Sequence, residues 1–167
     1  MKTTLFGAAV ALIAAPALAE VVVRFDEGAP KDRFTITNEG TCPLGDVSVV
    51  LDLGASSGGL IFDVTATGAG ISVFQPLELV AGLASLMSVP EVRDGDTSIT
   101  LPINTLDPGQ SIVFTIDVDD TNGTSATTVS GSEIMGGEVR VGAGIALARG
   151  SFSDKAVAVV SYNSCTA

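Results

Sequence analysis

Short runs in which apolar and polar residues alternate with a period of two, each closed by a turn signal, constrain this chain more than anything else in it. In Asp46-Val47-Ser48-Val49-Val50-Leu51-Asp52-Leu53 the alternation puts Val47, Val49, Leu51 and Leu53 on one face. Residues 110–118 repeat it, with Ile112, Phe114, Ile116 and Val118 inward and Ser111, Val113, Thr115 and Asp117 outward. Such alternation marks a strand with one face buried. Shorter runs predict strands at 21–25, 33–38, 60–64, 71–74, 97–103, 127–130, 138–141 and 156–162. Between them stand Asn38-Glu39-Gly40, Gly58-Gly59, Asp94-Gly95, Asp107-Pro108-Gly109 and Asn122-Gly123. Glycine there supplies positive φ, proline presets φ, and Asn or Asp bonds its own backbone. Strands this short, at this spacing, predict an all-β fold. It is a single-domain two-sheet β-sandwich, immunoglobulin-like or jelly-roll-like, of about eight to ten strands with at most one or two short helices. Leu79, Val80, Leu83, Leu86 and Met87 fall on a helical stripe and predict one short helix over an open end. Phe25, Phe34, Phe62, Phe74, Phe114 and Phe152 lie within apolar strand patterns and read as core.

The first residues have a different texture. Met1-Lys2-Thr3-Thr4 is cationic, Leu5 opens an apolar run, and Pro16-Ala17-Leu18-Ala19 closes it with the small residues that a signal peptidase accommodates. Residues 1–19 read as a cleaved secretory signal peptide, and residues 20–167 as the single β-sandwich domain. The run is too short to anchor in a bilayer, and no later stretch is long and apolar enough to cross one, so no membrane insertion is expected. Residue 20 is Glu rather than Cys, which argues against a lipoprotein. The product is expected to be secreted, periplasmic or held at the cell surface.

Charge narrows the partners. The chain carries 8 basic and 19 acidic residues, a formal net charge of −11, and loss of Lys2 with the leader makes the mature domain still more negative. Nucleic acid and anionic membranes need clustered Lys or Arg, so neither is an expected partner. Cations and basic surfaces fit the field better. The two cysteines, Cys42 and Cys165, read in an exported chain as one disulfide tying the C-terminus to an early loop. The alternative is a pair of buried thiols. Closing so long a loop contributes about 4–5 kcal/mol in the chain-entropy view.

Catalytic constellations are missing where they would be needed. Gly54-Ala55-Ser56-Ser57-Gly58 has the letters of a hydrolase nucleophile elbow, but the chain has no histidine to serve as base and no helix pattern follows. The stretch reads as a loop of small residues. The absence of histidine also removes the commonest zinc and copper ligand, and two cysteines make no zinc site alone. Glycosidases and glycan-binding modules offer aromatic platforms; here Trp is absent and Tyr162 is the sole tyrosine. Asn122-Gly123-Thr124 matches a glycosylation acceptor, but Asn-Gly is better read as a turn. The chain is read as not an enzyme.

Acidic clusters are the one constellation with chemical promise. In Asp117-Val118-Asp119-Asp120 alternation puts Asp117 and Asp119 on one solvent face, and Asp120 turns into the following loop. Asp94-Gly95-Asp96 is a second acidic turn. Calcium takes six to eight hard oxygen ligands, and aspartates at sandwich strand ends are one way to supply them. Asp117, Asp119 and Asp120 are the candidate calcium ligands, with Asp94 and Asp96 behind them. The bland alternative is a solvated acidic surface.

Three stretches, taken in order, carry a resemblance. They are Arg33-Phe34-Thr35-Ile36-Thr37-Asn38 leading to Cys42, then Gly59-Leu60-Ile61-Phe62-Asp63, then Phe114-Thr115-Ile116-Asp117-Val118-Asp119-Asp120-Thr121 followed by Val129-Ser130-Gly131-Ser132-Glu133-Ile134. The set resembles the core protein of sponge aggregation factors and the bacterial proteins named after it, over roughly residues 21–141. The resemblance implies extracellular, calcium-dependent cell or matrix adhesion without catalysis, and carries over no defined binding residues. More loosely, Ile36-Thr37-Asn38 and the Leu106-x-Pro108-Gly109 lead-in to a strand look like bacterial surface immunoglobulin-like domains.

The expected function is therefore a non-catalytic secreted or cell-surface adhesion or matrix-binding module with calcium as its candidate cofactor. Its partner would be an extracellular protein or glycan, or a second copy through self-association. The competing expectation is a periplasmic or surface structural subunit, a pilus-like protomer assembling through strand pairing. A missing core strand or long open edge would favour the subunit; a complete sandwich with an acidic loop cluster would favour the module.

Overall fold

The computed structural model describes residues 19–68, 70, 74–122 and 128–162. It is all-β, and its two antiparallel sheets pack face to face as a β-sandwich. The first sheet is built from β1 (Ala19–Asp26), β2 (Asp32–Asn38), β4 (Ile61–Asp63), β5 (Glu78–Ala81), β7 (Ser111–Asp119) and β10 (Val157–Tyr162). Its order is β10-β1-β2-β7-β4, with β5 also paired to β7 beside β4. The second sheet holds β3 (Leu44–Asp52), β6 (Ser98–Leu106), β8 (Glu138–Ala143) and β9 (Ala146–Ser151) in the order β6-β3-β8-β9.

The long alternating runs became the central strands, with the expected inward face. Val47, Val49, Leu51, Leu53, Phe62, Ile112, Phe114, Ile116 and Val118 are all buried. Phe34, Phe62 and Phe114 are fully buried at the centre: Phe34 stacks on Phe114 with centroids 5.2 Å apart and meets Phe62 edge-on at 6.4 Å. Each such ring contributes about 2–3 kcal/mol through burial. The turns form as their chemistry dictates. In Asp107-Pro108-Gly109, Gln110 N–H donates to the Asp107 carbonyl at 3.0 Å while Gly109 takes φ 78°.

Several expectations need correction. The stripe 79–87 is not an α-helix: Leu79 and Val80 belong to β5, and only a 3-10 turn, Leu83–Ser85, follows. Gly82 breaks the run with φ 85°, and a Cβ there would stand 2.8 Å from Ile112 Cα, so the chain passes hard against β7. Residues 128–130 are not strand, because Ser130 N–H and Oγ both bind the Glu133 carboxylate, at 2.6 and 2.7 Å, and start a turn. Phe74 is 40% exposed rather than core. The strand expected at 71–74 falls mostly outside the described residues. β5 and β9 were not anticipated.

The two sheets approach each other along both long sides without a continuous ladder between them. On one, the chain leaving β5 crosses to the second sheet, where Leu86 bridges Ile103 and Met87 N–H donates to Pro102 O at 2.9 Å. On the other, β9 and β10 lie against each other. β1 takes in Ala19, fully buried and paired with Tyr162, so cleavage after Ala19 would trim that strand by one residue. Among the described residues no helix is long and apolar enough to cross a membrane.

Candidate functional site

The two acidic stretches, far apart in sequence, meet at one pole of the sandwich. β4 is only three residues long, and its register sets Asp63 directly opposite Asp117, with Ile61 opposite Asp119. Cross-strand partners share a face, as do residues two apart on a strand, so Asp63, Asp117 and Asp119 stand on the same face. The Asp94-Gly95-Asp96 turn is stitched to β4 from the far side: Phe62 N–H donates to Asp96 O and Gly95 N–H to Phe62 O, both at 2.9 Å. That stitching delivers Asp94, whose Oδ1 accepts from Val64 and Thr65 N–H at 2.9 and 3.0 Å and whose carboxyl also hydrogen-bonds the Asp63 side chain.

This face is not the solvent face expected for it. Asp63, Asp117 and Asp119 are 3%, 8% and 7% exposed, and Thr115 is buried beside them. The parity of β7 is as expected; the outer face is approached at this end by Gly70 and Gln75, between β4 and β5. Gln75 N–H donates to Asp63 O at 3.2 Å and Gln75 O accepts from Asp117 N–H at 3.1 Å. Gly70 comes so close that a Cβ would stand 2.0 Å from Asp63 Oδ2 and 2.5 Å from Asp119 Oδ2. A side chain of any size at position 70 would displace one carboxylate or the other.

Burying like charges together raises their affinity for protons. Burial, then the Asp119 charge and then Asp63, push the Asp117 carboxyl up to about 7. Asp63 rises to about 6, through burial first and then its hydrogen bond and charge contact with Asp94. Asp32 closes the cluster on the β2 side. It is 2% exposed, and its carboxylate accepts from Gly28 N–H and Val118 N–H, both at 3.1 Å. It replaces the strand bond that β2 no longer supplies beyond Ile116, and burial carries it to about 7 against those two hydrogen bonds. Asp63 Oδ1 and Asp117 Oδ2 are among the buried oxygens that have no hydrogen-bond partner.

Of the candidate calcium ligands, the structure brings Asp117 and Asp119 together and adds Asp63, which sequence reasoning missed. Asp120 is buried one position past β7, where Thr121 and Asn122 N–H both donate to Gly58 O. Asp96 stays at the turn, its carboxylate accepting from Arg93 N–H at 2.8 Å. Among the described residues no three His, Cys, Asp or Glu side chains converge into a ready metal-holding group. Cys42 is buried, and no described cysteine is a free thiol; Cys165 lies outside the described residues. Ser56 serves its loop: its hydroxyl donates to Leu53 O at 2.5 Å and accepts from Leu60 N–H at 2.8 Å.

The chain matches no protein-family model, no curated protein and no solved structure, so the likeness to aggregation factor core proteins stands on the three quoted stretches alone.

Proposed function

We propose that this is an exported, non-catalytic adhesion or matrix-binding module, resident in the periplasm, at the cell surface or outside the cell, with calcium as a stabilising ion. The observation that carries the reading is the burial of several carboxylates at one pole of the sandwich. The filled hydrophobic core supports a self-contained module over a protomer awaiting a donated strand, while the long edge of β6, bridged by Leu86 at Ile103, is the feature that would suit the structural subunit. The acidic pole supports a cation, because like charges buried together are costly without a counter-charge. The adhesive role itself is supported by the sequence resemblance. Partners are an extracellular protein or glycan, or a second copy of the chain; the negative field disfavours nucleic acid.

The test is bead aggregation. Beads coated with the mature chain, alone or mixed with beads carrying extracellular matrix protein or glycan as the second partner, should cluster in millimolar calcium and disperse in chelator. Polymer ladders formed by the purified chain, or uptake of a donor-strand peptide, would instead favour the structural subunit. Beads that cluster in neither arrangement would remove the adhesive role while leaving the cation question to the experiment below.

A further inference from the structure

We propose that Asp63, Asp117 and Asp119, with Asp94 at their margin, form a binding site for a divalent cation of the calcium type that clamps β4, β7 and the 94–96 turn together. The proposal rests on the reading of the acidic pole as cation-stabilised and deepens it by naming the ligands, with Asp63 entering in place of Asp120.

Four observations lead to it. The first is register: pairing of Asp63 with Asp117 puts two carboxylates directly opposite, where like charges ordinarily destabilise a sheet. The second is satisfaction. Asp63 Oδ1 and Asp117 Oδ2 are buried without a hydrogen-bond donor, on side chains 97% and 92% buried. Buried polar atoms are almost always bonded, and a carboxylate oxygen with no donor needs a proton or a cation. The third is space: a Cβ at Gly70 would stand 2.0 Å from Asp63 Oδ2 and 2.5 Å from Asp119 Oδ2, and one at Gly68 would stand 1.3 Å from Asp94 Oδ2, so the chain passes against these carboxylates where a side chain would collide with them. The fourth is donor chemistry. The group is entirely carboxylate oxygen, which suits a hard cation and offers nothing to a soft one.

The carboxylates do not yet stand as a metal-holding group. Binding therefore draws them inward from a repelling arrangement, and calcium, with its tolerance of irregular oxygen shells, fits such a site better than a cation demanding a rigid octahedron. Because Asp63 comes from β4, Asp117 and Asp119 from β7, and Asp94 from the turn stitched to β4, the ion would link elements that are otherwise joined by few hydrogen bonds.

Isothermal titration of the mature chain with calcium chloride, paired with thermal melts in calcium and in chelator, tests it. Wild type should bind one calcium and melt higher with it. Asp63→Asn and Asp119→Asn should each weaken calcium by about tenfold or more. Both should also raise the melting temperature in chelator, because each removes a repelling charge. Asp120→Asn should titrate like wild type. A residue with a merely structural role would lower the chelator melt instead, which would overturn the assignment. If calcium binds but Asp120→Asn abolishes it while Asp63→Asn does not, the ligand set is wrong and the calcium reading survives. If wild type gives neither heat nor a melt shift at millimolar calcium, both fall. Circular dichroism checks each variant's fold, and Asp119→Asn carries the test if Asp63→Asn fails to fold.

Discussion

Asn38 is fully buried, and every polar position of its side chain is used. Its amide donates to Cys42 O at 2.9 Å and Leu106 O at 2.8 Å, and its Oδ1 accepts from Gly40 N–H at 3.0 Å. One residue thereby ties the end of β2 to the cysteine loop and to the end of β6. Asn38→Leu fits the volume but strands two carbonyls, and should lower stability by about 2–4 kcal/mol in urea unfolding. As a turn former, Asn38 was legible from its neighbours Glu39 and Gly40. Its tertiary bonds were not, since Leu106 is 68 residues away. The same holds at the acidic pole. Alternation alone put Asp117 and Asp119 on one face, because that follows from backbone geometry. Asp63 ends a short apolar run much as Asp119 ends a long one, and that parallel was the available signal. Asp32 gave none: its role depends on Val118, 86 residues later, at a strand end that only pairing defines.

Among elements, legibility followed side-chain chemistry. β3 alternates from Val47 onward and β7 carries inward-facing residues at every second position, with β-branched or aromatic side chains, and both were readable at nearly their observed limits. β9, with the sequence ALARGS, has no β-branched or aromatic residue and forms because β8 offers it a full ladder, Glu138 to Ser151 through Ala143 to Ala146. β5 was masked by leucines at helical spacing. What overrides that spacing is Gly82, whose left-handed backbone ends β5 and starts the crossing to β6. Gly82→Ala should cost about 2 kcal/mol or more, from the left-handed strain and the contact with Ile112. Thermal unfolding against wild type measures it, and a neutral result would mean the crossing can relax away from β7.

At the scale of the whole molecule, the acidic pole sets a pH dependence. Asp32 and Asp117 are raised to about 7 and Asp63 to about 6, all by burial first. A carboxyl raised on folding binds its proton more tightly in the folded chain. Stability of the cation-free protein therefore falls as pH rises through these values, and grows on acidification until both states are protonated near pH 4. In chelator, the melting temperature should climb between pH 8 and pH 5; a gain of about 1.4 kcal/mol corresponds to about 3–5 °C. Saturating calcium should flatten or reverse the trend, since protons and the cation compete for the same oxygens. A chelator melt that drops on acidification would show these carboxylates ionised and adequately solvated.

The opposite pole has a mechanical consequence. β1 and β10 are antiparallel, and Ala19 sits across from Tyr162, so the two ends of the described chain leave the sandwich side by side. Tension applied between those ends acts across the ladder and opens it one pair at a time, from Tyr162 back toward Val157, instead of shearing all its bonds at once. A module loaded in this way would yield early and by stages. With Cys42 joined to Cys165, the pairing the sequence predicts, the load would bypass β10 and pass through the covalent link into the loop that Asn38 holds. Pulling single molecules from residues 20 and 167 should thus show a low-force peeling step in reducing buffer that disappears under oxidising conditions. Thiol labelling of the denatured, unreduced chain should find no free sulfhydryl in the same oxidised sample. Persistence of the step there would mean that the cysteines leave this edge unprotected, and that any resistance to tearing comes from the sandwich core alone.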